Sequence, residues 1–255
     1  MVAAGRPETT VRLRCYQLGR VRDDLGDLWA ASTDDLAEWI AGHRWAPETM
    51  RSWRAALTGF YRWGITTGRA TSNPAAELPV VRVPRRVARP TPEDAITAAL
   101  AGADQRLWLM ISLAARCGLR RGEIAQVAGP HLLEDEQGPA LAVRGKGGRE
   151  RIVPVPRDVA DRIRDLGRRH DGGWAFPGQI DGHLSARRVG ELVAEALPGA
   201  WTCHTLRHRF GTRSYGASHD LGAVQELLGH SKPETTRIYV AIPPAALRAA
   251  TAWAA

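Results

Sequence analysis

The stretch HLLEDEQGPALAVRGKGGRERIVPVP, residues 131 to 156, interrupts a chain whose apolar residues otherwise recur mostly at helical spacing. Within it β-forming residues alternate or cluster between glycine-rich turns, the pattern of short strands folded back on one another, with a hairpin over Arg144 to Arg149. Helical patterns flank it on both sides. DAITAALAG and QRLWLMISLAARCG precede it, and RDVADRIRDLGRRH, SARRVGELVAEAL, TLRHRFGTRSYG, LGAVQELLGH and PETTRIYV follow. The fold class expected is therefore mainly α with a small antiparallel β-sheet, the sheet lying in a mixed α/β domain.

Upstream, ELPVVRVPRRVARPTPED (77 to 94) carries four prolines and no helical period, and reads as an extended linker. Its end, Thr91-Pro92-Glu93-Asp94, has the order of a helix start: a threonine N-cap, proline at the first helical position and an acid at the third. Before the linker, Ser32 or Thr33 is placed to cap DDLAEWIAG. Pro47 opens a long helix in which Met50, Trp53, Leu57, Phe60 and Tyr61 keep the helical period and read as core. The expected organisation is a helical domain over residues 1–83, a linker over 84–91 and the mixed domain over 92–255.

With 255 residues, 44% of them hydrophobic, the chain buries a real core. It shows neither a membrane-length apolar run nor a secretory leader, so the expected location is the cytoplasm, with no membrane partner. Three scattered cysteines, Cys15, Cys117 and Cys203, fit reduced thiols better than a disulfide framework. The formal charge of +8 favours a polyanionic partner. Only two of the 35 basic residues are lysines, Lys146 and Lys232, so Lys146, in the hairpin RGKGGR, invites its own explanation, whereas Lys232 reads as a solvated loop charge.

CHTLRHRFGT (203 to 212) puts His204, Arg207 and His208 on one helix face. Two histidines beside a cysteine suit zinc, whereas an arginine between them suits a phosphate; no third ligand is in view, and no metal is expected. The remaining polar landmarks are CGLRRGEIAQV with Arg120 and Glu123, RGKGGRERIVPV with Lys146, and LLGHSKPETTRIY with His230 and Tyr239.

In this order the landmarks resemble those of the tyrosine recombinase, or phage integrase, family, with Xer-like spacing over roughly residues 90 to 242. The resemblance implies an integrase-type catalytic domain behind a helical core-binding domain. It implies site-specific cleavage and rejoining of double-stranded DNA through a 3′-phosphotyrosyl intermediate (integration, excision or resolution), with Tyr239 as nucleophile. Arg120 and Arg207 would hold the non-bridging phosphate oxygens. His230 would donate to one of them, and His204 would do the same or assist proton movement. Glu123 would orient a histidine or arginine of the site, or else make an ordinary helix contact, and His208 would form a structural hydrogen bond. Lys146 is either the general acid for the leaving oxygen or a backbone phosphate contact, since an ammonium, unlike a guanidinium, readily gives up a proton. No cofactor or nucleotide triphosphate is needed, because the covalent link conserves the phosphodiester energy.

The expected assembly is a homotetramer on two DNA sites, with directionality or accessory proteins as further partners. The chain length leaves little room for a separate arm-binding domain. In the family a C-terminal segment often docks on a neighbouring protomer, and Leu247 and Trp253 in AIPPAALRAATAWAA offer an apolar face for that or for packing on their own domain. The competing functions are a catalytically silent DNA-binding regulator of the same fold, a type IB topoisomerase-like activity and a zinc hydrolase.

Overall fold

A computed structural model of the protein describes residues 5–84, 89–145 and 148–229. The chain divides into two compact units, Met1–Arg85 and Arg86–Ala255.

Among its described residues the first unit holds three helices: α1 (Glu8–Leu25), α2 (Thr33–Ala41) and α3 (Pro47–Thr66). Of the two candidate caps of α2 it is Ser32 that acts. Its hydroxyl accepts from the Asp35 amide, and Asp35 accepts the Ser32 amide in return. Trp53, Leu57 and Tyr61 are buried as their spacing predicts, together with Leu36, Trp39 and Val21; Met50 and Phe60 are half-buried. Trp45 stacks on Trp53 at 4.9 Å, and the Tyr61 hydroxyl donates to the Leu28 carbonyl, so these aromatic residues are core.

The second unit is built on α5 (Gln105–Arg116), whose residues Leu109 to Ala115 are all buried. Packed on it are α4 (Glu93–Ala101), α6 (Arg121–Ala125), α7 (Arg157–Gly167), α8 (Ala186–Ala196) and α9 (Cys203–Ser218), while α10 (Leu221–Leu228) lies against α9. The sheet comprises β1 (Leu132–Asp135), β2 (Gly138–Arg144) and β3 (Glu150–Pro154), all antiparallel in the order β1-β2-β3. Arg144 pairs with Glu150, which sets the hairpin where glycine spacing puts it. A short β4 (Pro177–Ile180) lies outside this sheet.

The start of α4 differs from the sequence expectation. Pro92 occupies the N-cap position, and no side chain caps the helix. The Thr91 hydroxyl instead donates to Thr205 Oγ1 (2.8 Å), and the Thr91 amide donates to the Thr205 carbonyl (3.3 Å). Thr91 is 2% exposed, so its hydroxyl must be satisfied, and α9 offers the partner.

Candidate active site

Arg120 immediately precedes α6 and Glu123 stands in its first turn, so the carboxylate reaches back to accept the Arg120 amide at Oε2 (2.8 Å). It also accepts the Arg120 guanidinium, Nη1 to Oε1 at 2.8 Å. A second guanidinium arrives from β3. Arg151 donates Nη1 to Oε1 (3.0 Å) and Nη2 to Oε2 (2.8 Å), a planar fork on a planar acceptor. Arg207 of α9 is the third, its Nη1 3.8 Å from Oε2.

Burial alone would push the Glu123 carboxyl pKa up. The hydrogen bonds and charge of Arg151, followed by the amide and guanidinium of Arg120, outweigh burial, and the net shift is downward. Glu123 and Arg151 are each 5% exposed in their side chains. Breaking such a buried pair by removing one partner costs about 3–5 kcal/mol, because the other charge is left unmatched.

These arginines also close the end of α10. The last carbonyls of a helix lack intrahelical partners, and here each finds a donor. Gly229, at φ +59°, turns its amide back to the Gln225 and Glu226 carbonyls. The Leu227 carbonyl accepts Arg151 Nε (2.9 Å), the Leu228 carbonyl accepts Arg207 Nη2, and the Gly229 carbonyl accepts Arg120 Nη2 (3.2 Å). Three successive carbonyls thus take one guanidinium each, at the negative end of the helix dipole.

The remaining Arg207 amino group donates to the Gly118 carbonyl. Gly118 lies at φ +67°, and a Cβ there would stand 2.4 Å from the Phe210 ring, so both conformation and space require the glycine that precedes Leu119 and Arg120.

On the face of α9 that carries Arg207, His204 is exposed and His208 is buried, with their Nε2 atoms 2.8 Å apart. Burial pushes His208 down to about 4, with neighbouring His204 and Arg207 acting in the same direction. At neutral pH His208 is therefore uncharged, and one proton lies between the two rings. Among the described residues, no three His, Cys, Asp or Glu side chains are grouped as metal ligands.

Of the residues singled out by sequence, Arg120, Glu123 and Arg207 come together, with His204 and His208 paired on α9. Lys146, His230 and Tyr239 lie outside the described residues, as do Lys232, the helix expected over PETTRIYV and the segment with Leu247 and Trp253. Arg151 was not anticipated. Its signal was the strand alternation, since Arg151 lies in phase with the buried Val153 while Glu150 and Ile152 point outward.

Three guanidiniums thus gather around one buried carboxylate, on a helical scaffold with a three-stranded sheet. The family model for the phage integrase family matches residues 90–245, and the chain belongs to that family. It is similar to tyrosine recombinase XerD of Caulobacter vibrioides, 31% identical over 246 residues that cover 87% of this chain and 80% of the relative. It is also similar to tyrosine recombinase XerC of Xanthomonas campestris pv. campestris, 31% identical over 257 residues, 89% and 79% of the two chains. In fold it resembles the crystal structure of a lambda integrase dimer bound to a COC′ core site, with TM-score 0.75, 20% identity and coverage of 93% and 73%. The chain is thus a tyrosine recombinase, a member of an enzyme class that carries out site-specific DNA recombination.

Proposed function

We propose that this recombinase cleaves and rejoins duplex DNA through a covalent 3′-phosphotyrosyl intermediate formed by Tyr239. The convergence of Arg120 and Arg207 around one buried carboxylate carries this reading. Three guanidiniums against one carboxylate leave an excess of two positive charges, in a pocket where the phosphate of a scissile bond gains charge during attack. A tyrosine hydroxyl is ionised to about one part in a thousand at pH 7, so its attack needs such a field. His230 and His204 add donors to the phosphate oxygens, and Lys146 protonates the departing 5′ oxygen or holds a neighbouring phosphate.

The reaction needs neither metal nor ATP, because guanidiniums supply the charge and the phosphotyrosyl bond retains the energy. Double-stranded DNA is the partner. Four protomers assemble on two sites, directionality or accessory proteins choose the product, and the reaction takes place in the cytoplasm.

Covalent capture tests this reading. A pool of short duplexes, randomised in sequence and nicked on one strand, is incubated with the full chain, and adducts stable to SDS are recovered and sequenced. The wild type should capture a defined half-site, with or without EDTA. Tyr239→Phe should bind the captured duplex and form no adduct; an adduct in that variant removes Tyr239 from the reaction. A silent regulator of the same fold would bind without capture, and a topoisomerase-like enzyme would capture duplexes with little sequence preference.

A further inference from the structure

We propose that Arg151 is a positioning residue of the reaction, whose charge cancels that of Glu123 and so lets Arg120 draw on the phosphate with its full charge. This rests on the recombinase reading above.

Arg151 stands behind Arg120: its side chain is 5% exposed, close to the 3% of Arg207, against 37% for Arg120. All three of its nitrogens are engaged within the protein, two on Glu123 and Nε on the Leu227 carbonyl. Glu123 is needed to hold Arg120 by amide and guanidinium, yet its negative charge stands beside both proposed phosphate clamps. In a pocket shielded from water that charge would offset much of one arginine's attraction for the transition state. Arg151 matches it from the far side. It does so while packed on Gly229, where a Cβ would stand 3.0 Å from Arg151 Cδ, so the end of α10 is shaped around this guanidinium. The carbonyls that take Arg120 and Arg207 follow directly on the one that takes Arg151. One residue therefore sets both the charge and the placement of the clamp.

The test separates charge from scaffold. The duplex captured by the wild-type chain is the probe, with adduct formation measured in single turnover at saturating protein and affinity by fluorescence anisotropy. Arg151→Gln should slow adduct formation about a hundredfold, on the scale of losing one transition-state donor. Its affinity for the duplex should stay within about threefold, as for a residue that makes no DNA contact. Adding Glu123→Gln, which removes the unmatched charge and keeps an acceptor for Arg120, should restore at least about tenfold of the rate at a temperature where both variants are fully folded by circular dichroism; a purely structural role predicts rescue of stability with no gain in rate among folded molecules. A double variant no faster than Arg151→Gln overturns the proposal, as does wild-type cleavage by Arg151→Gln or a parallel loss of affinity. If Arg151→Gln does not fold by circular dichroism, the charge-matched double variant decides. Folded and cleaving, it supports the proposal; unfolded or inert, it assigns Arg151 to the scaffold and overturns it. Absence of any wild-type adduct overturns the recombinase reading itself, whereas an adduct without rescue overturns only the role of Arg151.

Discussion

His208 is held in its neutral form by burial first and by His204 and Arg207 next, with its own value near 4. In the unfolded chain a histidine titrates near 6.5, so between these values the unfolded state binds the extra proton. Stability from this group is therefore fully present above about pH 6.5 and is lost as pH falls toward 4. Between pH 7 and pH 5 the loss amounts to about 2 kcal/mol by linkage. Urea unfolding at the two pH values should show it in the wild type, and His208→Gln should flatten the difference by a comparable amount. An unchanged pH dependence in the variant would mean that His208 does not titrate as its burial indicates. Glu123 carries a shift of the same sign, with Arg151 and Arg120 outweighing burial, and adds to the acid sensitivity of the same pocket at lower pH.

Elements with a strong apolar period were readable from sequence, and those held by polar contacts were not. α3, α5 and the β2-β3 hairpin lie where spacing and glycines put them. α1 escaped because only Gln17 and Val21 of its eighteen residues are buried. It is fastened to α3 through Arg14 on the Ser52 carbonyl (2.6 Å) and Gln17 on the Ser52 hydroxyl (3.1 Å), beside a narrow apolar stripe of Leu18, Val21 and Leu25. Arg151 escaped for a related reason, since an arginine at a core-facing strand position is understood only once Glu123 faces it. The entry to α4 shows a local motif yielding to tertiary structure, with Thr91 exchanging the capping role for Thr205 of α9. Thr91→Val should accordingly lower stability by about 1 kcal/mol, the net worth of a buried hydrogen bond. The neighbouring exposed pair works otherwise. Glu93 is drawn down to about 2, chiefly by its hydrogen bond to Arg209, yet its side chain is 57% exposed and water screens most of the gain. Equilibrium unfolding ranks the two. If Glu93→Gln costs more than Thr91→Val, the salt bridge and not the buried hydroxyl anchors α4 to α9.

At the scale of the whole chain, basic residues exceed acidic ones in both units, so each is suited to the backbone of a nucleic acid. Binding one half-site and bringing two sites together are nevertheless different events. The first draws on charge spread over the chain, the second on contacts between protomers. The sequence after Tyr239 bears on the second. In the sequence, Pro243 and Pro244 are followed by Leu247 and Trp253 in an alanine-rich stretch with Arg248 as its sole charged side chain. A segment of this composition has little to offer a phosphate backbone and apolar side chains to offer a protein surface. Removal of residues 244–255 should therefore leave the affinity of a single captured half-site nearly unchanged, and should reduce the fraction of paired duplexes seen by native electrophoresis or light scattering. The paired complex should fall with salt no more steeply per protomer than half-site binding does, because an apolar contact releases no counterions. Should half-site binding and pairing fall together, with a lowered melting temperature, the segment packs on its own domain and contributes nothing of its own to pairing.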